Sequence, residues 1–181
     1  MGHAADVPMP RPAALAVLVS LLSGVAACTT AEAPALDATI GRRHRPSEAR
    51  LAQARGIVAD IEGRLMAFRR VEGTWRDGDA AGGFAAFLDA GRAARIDERL
   101  EESDGSRSRV RYYFDGPALV HCTKDGDALS LSIFFDATGD VVQADKRAGG
   151  RLAALTPDEI RALRTHAEKL RLQAEATPTV P

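Results

Sequence analysis

Three short segments between residues 84 and 147 share one pattern, and that pattern restricts the fold more than any other feature of the chain. Each segment has apolar residues, then an aspartate, then a glycine within one to three positions; the segments are 87–91, 113–116 and 134–139. This order is typical of β-hairpin turns. It predicts an antiparallel meander, because short connections join neighbouring antiparallel strands. The six predicted strands cover residues 84–88, 92–101, 107–114, 118–124, 128–136 and 141–147.

Two amphipathic helices flank the predicted sheet. The first covers residues 47–70, with Ser47 as the expected N-cap. Its apolar residues recur at helical spacing: Leu51, Ala54, Val58, Ile61, Leu65 and Phe68. The second helix follows the capping-box sequence Thr156-Pro157-Asp158-Glu159, and its apolar stripe is Ile160, Leu163, Ala167 and Leu170. Two apolar stripes and one apolar sheet face predict an α+β domain with both helices packed on the same face.

The register of the hairpins assigns side chains to the two sheet faces. A three-residue turn at 103–105 places Asp97 opposite Arg111 and Ile96 opposite Tyr112, so charged residues face charged residues. The resulting apolar face carries Phe84, Ala86, Leu88, Ala94, Ile96, Leu100, Val110, Tyr112, Phe114, Val120 and Cys122. The other face carries Arg95, Asp97, Arg99, Arg107, Arg109, Arg111, Tyr113, His121, Ser130 and Ser132.

The other two turns give further pairings. A three-residue turn at 89–91 predicts Phe84 opposite Ile96. Pro117 lacks an amide hydrogen, which suggests a longer turn there and predicts Tyr112 opposite Val120. Residues 73–83 are predicted to form a loop, in which Trp75 either closes the edge of the core or serves as a platform for a ligand.

The N-terminal residues predict export from the cytoplasm. Residues 13–27 form an apolar run that is too short to span a membrane and typical of a signal peptide. The run ends in Val25-Ala26-Ala27-Cys28, which resembles the lipobox of bacterial lipoproteins. The resemblance covers residues 1–28 and implies cleavage before Cys28 and acylation of this cysteine, which would attach the chain to a membrane. An aspartate after the cysteine commonly retains such proteins in the inner membrane, so Thr29 implies an outer-membrane lipoprotein that faces the periplasm.

These signals divide the chain into four parts. Residues 1–27 are the predicted signal peptide, and residues 28–46 are the lipidated cysteine with a flexible tether. Residues 47–175 form a single predicted domain, and residues 176–181 are a tail. The segment 29–46 lacks apolar periodicity and contains two prolines, which is typical of a linker.

Composition and motifs argue against several classes of function. A net charge of −1 lacks the basic excess of nucleic-acid-binding proteins. Two cysteines and their spacing fit neither a disulfide scaffold nor a zinc site. Cys122 and His121 are neighbours on a strand and therefore point to opposite faces, so they do not form a catalytic pair. The aspartate-rich turns at 125–127 and 136–140 lack the spacing of a calcium loop. We therefore predict no catalytic residue, no metal and no cofactor.

Two hypotheses for function remain. The preferred one is a non-catalytic lipoprotein that binds an envelope protein or peptidoglycan through an arginine-rich sheet face, since arginine forks suit carboxylates and phosphates. Its candidate residues are Arg95, Arg99, Arg109, Arg111, Tyr113 and His121. The alternative is a carrier or inhibitor module for a lipid or muropeptide, which would bind in a cleft between helix and sheet beside small residues such as Ala54, Ala86 and Ala94.

Overall fold

A computed structural model describes residues 44–77, 80–101 and 106–177. Each strand pairs with the next in one eight-stranded antiparallel sheet, which confirms the predicted α+β meander with eight strands instead of six. The elements are α1 (His44–Arg64), a 3-10 turn (Leu65–Ala67), β1 (Arg69–Asp77), β2 (Ala80–Asp89), β3 (Arg92–Glu101), β4 (Arg107–Asp115), β5 (Ala118–Gly126), β6 (Leu129–Phe135), β7 (Val141–Ala148), β8 (Arg151–Leu152) and α2 (Pro157–Glu175).

Several predictions concern residues outside the described ranges. These are the signal peptide, Cys28, most of the tether, the turn at 103–105 and most of the tail at 176–181. Among the helices that the structure does describe, none is both long and apolar enough to cross a membrane.

The two additional strands are β1 and β8. β1 occupies residues that the sequence pattern predicts to be the end of the first helix and a loop. The prediction is wrong because the charged residues and Gly73 mask the alternation of Val71 and Trp75. β8 has two residues and pairs with the end of β7. α1 begins at His44, so Ser47 lies inside the helix and is not its N-cap. Pro46 is compatible with the first turn, where backbone N–H groups have no partner within the helix.

The helix α2 begins with the predicted capping box. The amide of Glu159 donates to Thr156 Oγ1 at 3.2 Å, and the amide of Thr156 donates to Glu159 Oε2 at 2.8 Å. Its buried residues Ala167, Leu170 and Ala174 pack on the apolar face of the sheet. That face includes Val71, Phe84, Ala86, Leu88, Ala93, Ile96, Val110, Tyr112, Phe114 and Cys122.

The helix α1 lies on the opposite face of the sheet, so the prediction that both helices share one face is wrong. Ile61, with the half-buried Ile57 and Val58, packs against Ala94 and Tyr113. Tyr113 follows Tyr112 on β4 and points to the other side, because side chains alternate along a strand. The sheet is thus covered on both faces, and we call these the α1 face and the α2 face.

Ion pairs at both ends fix the path of α1 across the sheet. Arg50 contacts Asp136 in the β6–β7 turn at 2.7 Å, and Arg64 contacts Asp89 at the β2–β3 turn at 3.1 Å. The fourteen residue steps from Arg50 to Arg64 rise about 21 Å along a helix. Four strand spacings cover about 19 Å. The helix therefore crosses the strands near the ends that carry the three aspartate-containing turns.

A bulge follows each of these three turns and explains the errors in register. The register shifts at Ala94, Val120 and Val142. The turns themselves are tighter than predicted, since Asp89 pairs with Arg92 and Asp115 pairs with Ala118. A turn one residue shorter and a bulge of one residue together displace the pairing by two positions.

The displaced pairing has two consequences. Phe84 lies opposite Glu98 rather than Ile96, and Tyr112 lies opposite Cys122 rather than Val120. The faces of most residues are preserved, because side chains alternate with a period of two. The exceptions are the bulged Ala94 and Val120, which contact the α1 side of the sheet instead of the α2 side.

Candidate functional site

The α1 face is organised in rows of side chains that cross the strands. The covered row lies under α1 and consists of Phe87, Arg95, Tyr113, His121, Phe134 and Gln143. Two positions further along the strands is the border row: Ala85, Asp97, Arg111, Thr123, Ser132 and Asp145. Beyond it is the open row: Thr74, Gly83, Arg99, Arg109, Asp125, Ser130 and Arg147. The six predicted binding residues are distributed over all three rows.

Arg95, in the covered row, is neutralised within the domain. Its guanidinium donates to Glu62 of α1 at 2.9 and 3.1 Å and to Asp97 at 2.7 and 2.5 Å. Burial alone would lower the Arg95 pKa, but Asp97 and Glu62 outweigh burial and raise it. Only 9% of the side chain is exposed, so Arg95 attaches α1 to the sheet and is not available to a partner.

Tyr113 is also covered by α1. Its hydroxyl donates to Glu62 at 2.6 Å. Burial, with the hydrogen bond to Glu62, raises the pKa of Tyr113 to about 12. The ring stacks at 5.4 Å on His121, which in turn stacks at 3.9 Å on Phe134. The tyrosine therefore belongs to an aromatic stack beneath α1.

His121 occupies the centre of this stack and is buried as a neutral ring. Its Nε2 lies 3.1 Å from Ser132 Oγ, whereas its buried Nδ1 has no hydrogen-bond partner among the described residues. Burial, with the positive charge of Arg111, lowers the pKa of His121 to about 4. The sequence analysis places His121 on the polar face as a candidate binding residue, but α1 covers this position and makes it a core residue.

Arg99 and Arg109 remain accessible. Both are exposed, lie in the open row and pair directly across β3 and β4. In the described part of the chain, neither side chain makes an ion pair or a hydrogen bond. Arg111 is intermediate, with 36% of its side chain exposed and its Nε 3.3 Å from Asp97. The accessible part of the predicted site is thus smaller and lies away from α1.

A second polar cluster lies on the α2 face and was missed by the sequence analysis. Glu98 is fully buried and accepts hydrogen bonds from Trp75 Nε1 at 2.6 Å and Tyr112 Oη at 2.8 Å. His166 Nε2 of α2 lies 2.7 Å from the same carboxylate. Burial, with the nearby charge of Glu98, raises the Tyr112 pKa well above its usual value. The sequence did indicate that Glu98 is buried, because the alternation along β3 that turns Ile96 and Leu100 inward also turns Glu98 inward.

Cys122 and Asp136, which sequence alone leaves open as a thiol or a metal-binding carboxylate, both take part in the packing and turn structure of the domain. Cys122 is fully buried, and burial raises the pKa of its thiol. Asp136 accepts hydrogen bonds from the amides of Thr138 and Asp140, both at 3.0 Å. Its hydrogen bonds, first among them one from the Thr138 hydroxyl, lower the pKa of Asp136 to about 2. No cluster of three or more His, Cys, Asp or Glu side chains suited to a metal occurs among residues 44–77, 80–101 and 106–177.

Several depressions among the described residues are large enough to consider as binding sites. One of about 950 Å³ lies between α1 and the turns that follow β2 and β4, next to Ala94. An open one of about 820 Å³ lies beside Arg99, between the ends of β1 to β4. A groove of about 700 Å³ follows α2 beside Leu119, Ile160 and Leu172. A cleft of about 250 Å³ lies between α1 and the sheet next to Ala54 and Val120. The small residues of the alternative hypothesis do not share a cleft, since Ala54 and Ala94 lie on the α1 side and Ala86 on the α2 side.

Comparison with known proteins gives no relationship from which a function could be transferred. No family model, no curated protein and no solved structure matches this chain.

Proposed function

We propose that this protein is a non-catalytic lipoprotein of the bacterial envelope, anchored through Cys28, whose domain binds an anionic partner at Arg99 and Arg109. The Val25-Ala26-Ala27-Cys28 sequence supports the anchor. Thr29 after the cysteine supports the outer membrane. The non-catalytic role is supported by the environments of Cys122 and His121, which lie on opposite faces and are both buried.

The observation that carries the binding proposal is the direct pairing of Arg99 with Arg109. Like charges placed opposite each other on neighbouring strands destabilise a sheet. Asp97 and Arg111, one row nearer to α1, form an ion pair, whereas Arg99 and Arg109 form none with any residue that the structure describes. An anion between the two guanidinium groups would remove this repulsion. Arginine forks match the geometry of carboxylates and phosphates, and the strands hold both side chains on a fixed frame.

Photo-crosslinking in cells tests the binding surface. A probe at Asp125, which pairs with Arg109 in the open row, should give a discrete adduct that mass spectrometry can identify. Arg109→Glu should reduce the adduct at least tenfold. Arg151→Glu, a charge reversal at another exposed strand arginine, should leave it unchanged. An adduct that survives Arg109→Glu, or none from the Asp125 probe, would reject this surface.

The anchor is tested by metabolic labelling with palmitate and by fractionation. Cys28→Ser should abolish the label and release the protein from the membrane fraction, whereas Cys122→Ala should retain both the label and the membrane location. Thr29→Asp should move the protein from the outer to the inner membrane. A labelled Cys28→Ser protein would contradict the proposed site of acylation.

The groove along α2 favours a second candidate, a carrier of a small lipid or muropeptide. Its volume falls within the range of about 300–1,000 Å³ that is usual for ligand sites, and exposed Leu172 gives it an apolar wall. The cleft beneath α1 next to Ala54 is smaller than this range, whereas the depression between α1 and Ala94 lies within it. Thermal-shift measurements with lipids and muropeptides should show stabilisation that Leu172→Arg removes; no stabilisation by any of these ligands would count against this candidate.

A further inference from the structure

The depression beside Arg99 lies on the α1 face, where α1 does not cover the sheet. Its lining includes Thr74, Gly83 and Arg99, which are neighbours in the open row. Arg76 and Arg107 lie one row further out and complete its basic side. We call this depression the Gly83 cup. The inference below rests on the proposed function, because it specifies the chemical group that this face would bind.

Gly83 is the feature that makes the cup open. A glycine inside a strand weakens it, and it often marks a bulge or the close approach of another group. The bulge in this hairpin lies elsewhere, at Ala94, opposite Phe87 and Leu88. A Cβ atom at Gly83 would meet only the carbonyl oxygen of Gly73 at 3.8 Å, which is an ordinary contact. Packing within the domain therefore does not require glycine here.

The neighbouring glycines provide a contrast. A Cβ at Gly82 would lie 2.8 Å from Trp75 Nε1 and 3.0 Å from the carbonyl oxygen of Arg99. A Cβ at Gly73 would lie 2.5 Å from the ring of Phe84. Both of these positions exclude a side chain for reasons internal to the protein. At Gly83 the space that a side chain would fill is left to solvent or to a ligand.

The charge of the cup indicates the class of ligand. Three arginines line it, namely Arg76, Arg99 and Arg107, against Glu101 as the one acidic residue among its described lining. None of the three arginines makes an ion pair within the portion of the chain that the structure describes. A phosphomonoester carries about −1.5 to −2 charges at neutral pH, which balances this excess of two positive charges better than one carboxylate does.

From these observations we infer that the Gly83 cup binds a phosphomonoester carried by a small polar body, such as a hexose phosphate. The volume of about 820 Å³ accommodates a group of this size. The lining also offers the Thr74 hydroxyl and the short side chain of Ala81. The arginine forks would hold the phosphate oxygens, and the sugar would lie over Gly83.

Calorimetric titration of the mature chain at low ionic strength tests this inference. Glucose 1-phosphate should bind saturably, glucuronate at least tenfold more weakly, and glucose without measurable heat. Gly83→Leu should abolish binding of the phosphate while the strand keeps its fold, as checked by circular dichroism and thermal unfolding. The matched control is Gly63→Leu, because a Cβ at Gly63 also meets nothing within 4 Å but lies on α1.

Two further measurements distinguish a lipid headgroup from a free sugar phosphate and separate failure of this inference from failure of the proposed function. Vesicles that contain phosphatidic acid, compared with phosphatidylcholine, show whether a lipid headgroup enters the cup; binding to these vesicles that Gly83→Leu removes would assign the lipid source. No saturable binding of glucose 1-phosphate or of the vesicles, or equal binding by Gly83→Leu, would overturn the inference. Arg109 does not line the cup. If the Asp125 adduct is lost in Arg109→Glu but no phosphate binds to the cup, the proposed function stands and only the inference about the cup fails.

Discussion

Glu98 shows how a single buried residue determines the packing of several elements. Its carboxylate accepts hydrogen bonds from β1, β4 and α2 and is shielded from water. A buried carboxylate that loses a donor retains the cost of desolvation without the compensating bond. Glu62, in contrast, has 40% of its side chain exposed, so water can replace a lost protein donor there.

Neighbouring tyrosines on β4 allow these two environments to be compared. Tyr112→Phe removes a donor to Glu98 and should lower the free energy of unfolding by about 1–3 kcal/mol. Tyr113→Phe removes a donor to Glu62 and should cost about 0.5–1.5 kcal/mol. Urea denaturation of both variants measures the difference. A larger loss for Tyr113→Phe would show that Glu98 is not the more dependent carboxylate.

His121 makes stability depend on pH. Its pKa is about 4 in the folded protein and about 6.5 in an unfolded chain. The unfolded chain therefore takes up a proton first as the pH falls, and stability that is present above pH 6.5 is lost between pH 6.5 and 4. The difference corresponds to roughly 3 kcal/mol.

The variant His121→Phe isolates this contribution. It keeps an aromatic ring in the stack, removes the titrating group and eliminates the unpartnered Nδ1. Urea denaturation at pH 7 and pH 4.5 should show a clear loss of stability for the wild type and a much smaller loss for the variant. Asp136 does not interfere, because its pKa of about 2 places its contribution at lower pH. Equal losses in both proteins would contradict the assignment to His121.

At the scale of elements, the turns were predictable, but their exact geometry was not. In the β2–β3 turn, Ala90 and Gly91 both have positive φ angles of 47° and 85°, as a type I′ turn requires. In the β4–β5 turn, Gly116 has a φ of 57°, and Pro117 suits the following position with its negative φ. The amide that closes this turn belongs to Ala118, so the missing N–H of Pro117 does not lengthen it.

Ala90 offers a test of the turn assignment. A residue with a Cβ pays roughly 1–2 kcal/mol in the left-handed region, whereas glycine adopts it freely. Ala90→Gly should therefore increase the free energy of unfolding by about 0.5–1 kcal/mol. Ala137→Gly is the control, since Ala137 lies in the β6–β7 turn without a positive φ, and it should be neutral or destabilising. Chemical denaturation distinguishes the two outcomes.

The helices differ in how much of their packing the sequence determined. The capping box and apolar stripe of α2 predicted its start and its buried face, because these interactions are local. The stripe of α1 correctly included Ala54 and Ile61, which are buried. Its partner could not be inferred, since the face that α1 covers is rich in arginine. Arg95 is accommodated there by Glu62, a contact between residues 33 positions apart.

At the scale of the whole molecule, the recurring Asp and Gly residues of the hairpin turns predicted the fold class. The accessibility of the candidate site, in contrast, depended on which sheet face each helix covers. Alternation along β3 and β4 assigned Arg99 and Arg109 to one face, and the register of Asp97 with Arg111 was correct. The same alternation could not tell that α1 would bury Arg95, Tyr113 and His121. Covering both faces produces three layers. The exposed part of the α1 face is the part that α1 does not cover.

The course of α1 has a mechanical consequence for a chain held at its N-terminus. The described part of the chain begins with α1, and the first ion pair along the helix joins Arg50 to Asp136. Tension applied from the N-terminal side would load this contact first and the Arg64–Asp89 contact last. The helix would then separate from the sheet starting at its N-terminal end, while the backbone hydrogen bonds between the eight strands are not loaded through this contact.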